Sequence, residues 1–155
     1  MLKKNKIWTW LFIVILLVGL GGLLWFATTP APGSDQANPM VSYSGLHWHP
    51  HLSIMIKGQI QEIPAGIGLG ATESPVHTHE ADGIIHLEFV GPVRESDITL
   101  GKFFKLWGKR FSSDCIFDDC TGVAGMVKLF VNGQENFLFE NYSMQEKDEM
   151  EIRYE

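Results

Sequence analysis

Between His47 and Ile56 the sequence HWHPHLSIMI alternates with a period of two. Leu52, Ile54 and Ile56 share one parity; His47, His49, His51, Ser53 and Met55 share the other. Successive strand residues point to opposite faces, so the pattern predicts a half-buried β-strand over Tyr43 to Gly58 with a row of imidazoles on its far side. Pro50 interrupts the row. It decides whether His47 joins the same surface as His51 or only leads into it, because proline in a sheet marks an edge, a bulge or a kink.

All six histidines lie between positions 47 and 86, and none falls in the first 46 residues or the last 69. Imidazole is the commonest metal ligand and is ready to bind near pH 7. A lone histidine is usually an ordinary surface or core residue, but two His-x-His clusters and a sixth histidine nearby favour a shared role. Two imidazoles at i and i+2 of a strand stand about 7 Å apart at Cα and can converge on one ion. The remaining ligands then come from His77-Thr78-His79, in a loop over Thr72 to Gly83, and from His86. Ile84 to Val90 reads as a strand with Ile85, Leu87 and Phe89 on one face and His86 and Glu88 on the other. The candidate metal ligands are therefore His47, His49, His51, His77, His79 and His86, with Glu88 and Asp82 as further ligands or as groups that orient an imidazole. Such a nitrogen-rich set suits copper first, with zinc or iron also compatible. The spacing is not that of a cupin, and no His-Glu-x-x-His run marks a zinc peptidase.

Elsewhere the chain divides by composition. Ile7 to Ala27 is a run of 21 uncharged, mostly apolar residues, preceded by Lys3, Lys4 and Lys6. At 1.5 Å per residue it would cover about 30 Å, the thickness of a hydrocarbon core. The expectation is a basic cytoplasmic N-terminus over 1–6, a transmembrane anchor over 7–27, a Pro/Ala/Ser/Gly-rich linker over 28–40 and an exported metal-binding domain over 41–155, periplasmic or extracellular. A cleaved signal peptide is the alternative, and its apolar region is usually shorter. Only three of the 12 basic residues and none of the 18 acids precede residue 28, so the rest of the chain carries a net charge near −9. That balance argues against nucleic acid as a partner.

Within the exported part, Thr99 to Gly108 predicts a helix. Leu100, Phe103, Phe104 and Trp107 form an apolar stripe at i, i+3, i+4 and i+7, Asp97 or Thr99 caps its start and Gly108 ends it. Gln61 to Ile67 is a candidate return strand, Met126 to Val131 a strand before an Asn132-Gly133 turn, Phe137 to Phe139 a short return strand, and Met150 to Tyr154 the last strand. Cys115 and Cys120, the only cysteines, are expected to form a local disulfide outside the cytoplasm. The methionines form no Met-x-x-Met cluster, and Met55 alone shares the histidine parity.

The turn and strand pattern of residues 98–155 resembles the last third of β-grasp (ubiquitin-like) domains. The fold class expected is therefore α+β: a β-grasp-like mixed sheet packed on one amphipathic helix, preceded by an N-terminal transmembrane helix. The segments HWHPHL, IPAGIG, HTHEADGIIHLE and ITLGKFFKLWG, followed by two cysteines and VNG, resemble a family of small exported or membrane-anchored bacterial and archaeal domains across residues 46–155. That resemblance implies an exported location and a single site built from the histidine segments. It implies no reaction. The function expected is metal delivery, buffering or assembly of another exported metalloprotein, with attachment to the membrane through residues 7–27. The alternatives are a mononuclear metal-dependent enzyme at the same histidines, for which no motif assigns a catalytic acid or base, and an interaction domain with a structural metal clip.

Overall fold

A computed structural model describes residues 4–28 and 38–155 and, within the first stretch, the side chains of residues 8–20. Two compact units result, Met1–Ala37 and Asn38–Glu155. The first contains helix α1 (Lys4–Thr28). The transmembrane expectation is corrected here: among the described residues no helix is long and apolar enough to cross a membrane. Of the cytoplasmic N-terminus expected over 1–6, residues 1–3 fall outside the described residues and 4–6 begin α1; most of the expected linker, 29–37, also falls outside them. Where description resumes, Asn38 is already tied down, its carbonyl accepting from Arg94 Nη1 at 2.7 Å and its side-chain oxygen from the Ser96 N–H at 3.0 Å.

The second unit contains, in order, β1 (Met40–Ser42), β2 (Leu46–Trp48), β3 (His51–Ile56), β4 (Gln59–Gln61), β5 (Val76–His77), β6 (His86–Phe89), β7 (Val93–Arg94), α2 (Leu100–Trp107), β8 (Cys115–Ile116), β9 (Asp119–Cys120), β10 (Val127–Val131), β11 (Gln134–Asn136) and β12 (Glu149–Tyr154). The fold is mixed α+β. In place of one sheet beneath one helix there are four: a five-stranded sheet ordered β11-β10-β12-β3-β4, a three-stranded sheet ordered β2-β6-β5, and the pairs β1-β7 and β8-β9. In the largest sheet β3 and β12 run parallel at the centre, and each is flanked by an antiparallel partner.

Alternation places the core. Leu52, Ile54 and Ile56 of β3, Met150, Ile152 and Tyr154 of β12, and Val127, Leu129 and Val131 of β10 are all buried. Each such side chain removed from water contributes about 1.5–3 kcal/mol. Helix α2 is one of the elements that supply the rest of this core. Leu100, Phe103 and Phe104 are buried, the Thr99 hydroxyl accepts from the Lys102 N–H, and Gly108 closes the helix at φ 73°.

The long strand expected over Tyr43 to Gly58 breaks at Pro50. The buried proline contributes no N–H, and its carbonyl accepts from the Ile85 N–H at 2.9 Å. Past it the chain changes sheets: β2 pairs with β6, whereas β3 pairs with β12 and β4. The two return strands also begin earlier than expected, at Gln59 rather than Gln61 and at Gln134 rather than Phe137. Lys57-Gly58 and Asn132-Gly133 both hold positive φ, at 51° and 77° and at 52° and 78°. Two consecutive positive-φ residues make the tight hairpin turn that needs no further loop residues.

Candidate metal centre

The three-stranded sheet is a short scaffold with one polar face. Its middle strand β6 carries His86 and Glu88, two residues apart and therefore on the same side. Across one edge His77 of β5 lies opposite His86; across the other, His47 of β2 lies opposite Glu88. The next alternate residues along the two outer chains are His79 and His49. The sheet thus gathers five of the six histidines and Glu88.

Their ligand atoms fall into two sets. His77, His79, His86 and Glu88 present atoms all within 4.8 Å of one another, and so do His47, His49 and Glu88. Nε2 of His77 and Nε2 of His79 are 3.1 Å apart, and those of His47 and His49 are 3.2 Å apart. At an ion–nitrogen bond of about 2.0–2.1 Å such a pair subtends roughly 100° at the ion, close to the tetrahedral angle. The His86 ring stacks on His77 at 5.3 Å and meets His79 and His49 edge-on at 4.5 and 4.8 Å. His86 Nδ1 is buried without a hydrogen bond and lies 3.5 Å from Glu88 Oε1. A cation between that nitrogen and that oxygen would satisfy both.

His86 is prepared for the neutral form. Burial is the main cause that moves the His86 pKa below the usual histidine value, and the neighbouring His79, His49 and His77 add to it against the opposing pull of the nearby Glu88 carboxylate. His77 is 1% exposed, and its Nδ1 faces the Ser74 carbonyl at 2.9 Å. A carbonyl only accepts, so Nδ1 carries the proton and Nε2 turns its lone pair to the site. A backbone acceptor that fixes the tautomer of a ligating histidine is the usual arrangement in metal sites.

Thr78, fully buried between the two histidines, explains why they are so well placed. Its N–H donates to Ile67 O and its carbonyl accepts from the Gly66 N–H. Its hydroxyl donates to Pro64 O at 2.8 Å and accepts from the Ile67 N–H at 3.1 Å. The IPAGIG stretch, expected in part as a return strand, therefore forms the wall behind His77-Thr78-His79. Gly68 belongs to that wall: it holds φ +78°, and a Cβ there would collide with the Val76 carbonyl and press tightly on His77.

Two of the expected site residues lie elsewhere. His51, carried into the five-stranded sheet by the break at Pro50, belongs to neither set. Its Nδ1 faces Glu149 Oε2 at 3.0 Å and its Nε2 faces the Asp82 carbonyl at 3.1 Å. Asp82 turns its own carboxylate to the Ile84 N–H at 2.9 Å and caps a turn. Glu88, expected as a further ligand or an orienting group, offers a carboxylate oxygen to both sets. The sequence reading missed Ser74, whose contribution is a backbone carbonyl that carries no side-chain signal, and Glu73, whose Oε1 is 3.5 Å from His77 Nε2. Neither cysteine offers a thiolate, because Cys115 and Cys120 are joined as a disulfide. No protein-family model, curated protein or solved structure matches this chain.

Proposed function

We propose that this protein is an extracytoplasmic metal-binding protein that holds divalent copper or zinc through its histidine cluster and serves in buffering or delivery of the ion to another exported metalloprotein. The observation that carries the reading is the convergence of His77, His79, His86 and Glu88 within 4.8 Å, with His77 held in the metal-binding tautomer by Ser74. Nitrogen and carboxylate donors without a thiolate favour a divalent ion over Cu(I), and among divalent ions the general order of stability favours Cu(II). The Cys115–Cys120 disulfide supports an oxidising compartment. Delivery is supported by the accessibility of the second set: the His47 side chain is 67% exposed and open to a receiving ligand.

The test is competition of the metal-free full-length protein against a chromophoric chelator for Cu(II) and Zn(II). His79→Ala combined with His86→Ala should weaken binding by more than about 100-fold, beyond the 10–100-fold typical of losing an orienting group. His51→Ala, outside both sets, should leave the affinity unchanged. Equal affinity in the wild type and the double variant would exclude the site.

A further inference from the structure

Five imidazoles and a carboxylate are more than one tetrahedral ion uses. Two ligands of a single ion stand no more than about 4.2 Å apart, twice a bond of about 2.1 Å. The six side chains do not merge into one group at 4.8 Å; they form two groups that share one member, Glu88. The sheet register explains this. β6 is the central strand; His86 faces β5 through His77, and Glu88, two residues along, faces β2 through His47. Each neighbouring strand brings its own His-x-His pair. Each pair brings its Nε2 atoms within 3.1–3.2 Å, the spacing of two ligands on the same ion.

From this geometry we infer that the cluster is a two-ion centre, with one ion held by His77, His79 and His86, the second held by His47 and His49, and the Glu88 carboxylate shared between them. This rests on the metal-binding reading above and deepens it. Glu88 Oε1 lies 3.5 Å from His86 Nδ1 and 3.4 Å from His47 Nε2, so the same carboxylate already stands between the two histidine groups. A shared carboxylate is the usual bridge between ions about 3.5–4 Å apart, and its charge offsets their mutual repulsion. Glu73, near His77, adds a second negative charge on the first ion's side. The two positions differ in access. His77 and His86 are 1% and 20% exposed, while His47 is 67% exposed. The first ion is therefore the resident one and the second the exchangeable one.

The metal-free full-length protein is titrated with Cu(II) alone, with bound copper counted by elemental analysis after gel filtration and the copper followed by electron paramagnetic resonance. Two ions per chain are expected, with the signal of isolated Cu(II) present at one equivalent and depleted by spin coupling at two. His47→Ala combined with His49→Ala changes partly or largely exposed side chains and should leave the fold intact by circular dichroism. It should bind one ion and keep an uncoupled signal. Glu88→Gln should retain the first ion and weaken the second by about tenfold or more. One ion per wild-type chain would overturn the two-ion centre and leave the metal-binding reading standing; no bound ion would overturn both. Two ions in the His47/His49 double variant, or two uncoupled ions in the wild type, would also refute the shared bridge.

Discussion

Thr78 sits between two histidines of the candidate metal centre, His77 and His79, and its own side chain turns to the backbone instead. Its hydroxyl bridges the Pro64 carbonyl and the Ile67 N–H in a fully buried position. Thr78→Val keeps the shape and removes both hydrogen bonds. The buried Ile67 N–H then loses its partner, which costs about 1–3 kcal/mol for a group left unsatisfied, while the carbonyl of the exposed Pro64 can turn to water. The denaturant midpoint of the metal-free protein should fall accordingly with its slope unchanged, and metal affinity should fall too, because the wall behind His77 and His79 is loosened. An unchanged midpoint would mean that the hydroxyl is not the bridge. Residue chemistry was largely legible in the sequence: the side chains that gather at the site are those the histidine spacing singles out, plus Glu88 from the alternation of its strand. His51 stands outside the two groups because parity assumes an unbroken strand, and Pro50 moves the residues on either side of it into different sheets.

At the level of elements, helix α2 behaves as its stripe demands, and its approach is set by a short 3-10 turn over Glu95–Asp97. Asp97 locks that turn. Its carboxylate accepts from the Arg94 N–H at 3.0 Å and from Lys102 Nζ at 3.1 Å. The Arg94 backbone hydrogen bond, aided by Lys102 and by the charge of Arg94, outweighs burial and holds the carboxyl below its ordinary value of 3.8. A carboxyl whose pKa is lower folded than unfolded adds stability above the unfolded value, and that stability is lost as the pH falls through the folded value. Thermal midpoints measured between about pH 2 and 6 should therefore fall more steeply on acidification in the wild type than in Asp97→Asn, with the two curves converging at the acid end. Parallel curves would show that the turn does not depend on this charge. Helix and turn chemistry are local, and Thr99, Gly108 and Asn132-Gly133 could be read directly. The return strands were displaced by two and three residues because a two-residue turn fixes where pairing resumes, whereas hydrophobicity alone does not.

For the whole molecule, the decisive contacts are distant in sequence. β3 and β12 pair in parallel from His51 opposite Glu149 to Tyr154 opposite Ile56, and the side chains of His51 and Glu149 meet across 98 positions. Asp148, just before β12, is buried and receives Tyr142 Oη, the Gln145 N–H and Asn132 Nδ2, while its carbonyl takes the His51 N–H. Nothing in either segment announces its partner, since alternation fixes a face but not a neighbour. These contacts also define which part of the chain is self-sufficient. Among the described residues, the buried apolar core, the disulfide and both groups of candidate ligands lie within Asn38–Glu155. That unit, produced alone, should unfold in one cooperative transition and bind Cu(II) or Zn(II) as the full chain does. An ion that binds only where the strands bring the imidazoles together stabilises the folded state. At a free concentration of 100 times the dissociation constant the gain is about 2.7 kcal/mol, an upward shift on the order of 10 °C for a unit of this size. The shift should vanish in His79→Ala combined with His86→Ala and persist in His51→Ala. A metal-induced rise of equal size in both variants would trace the stabilisation to some other part of the surface.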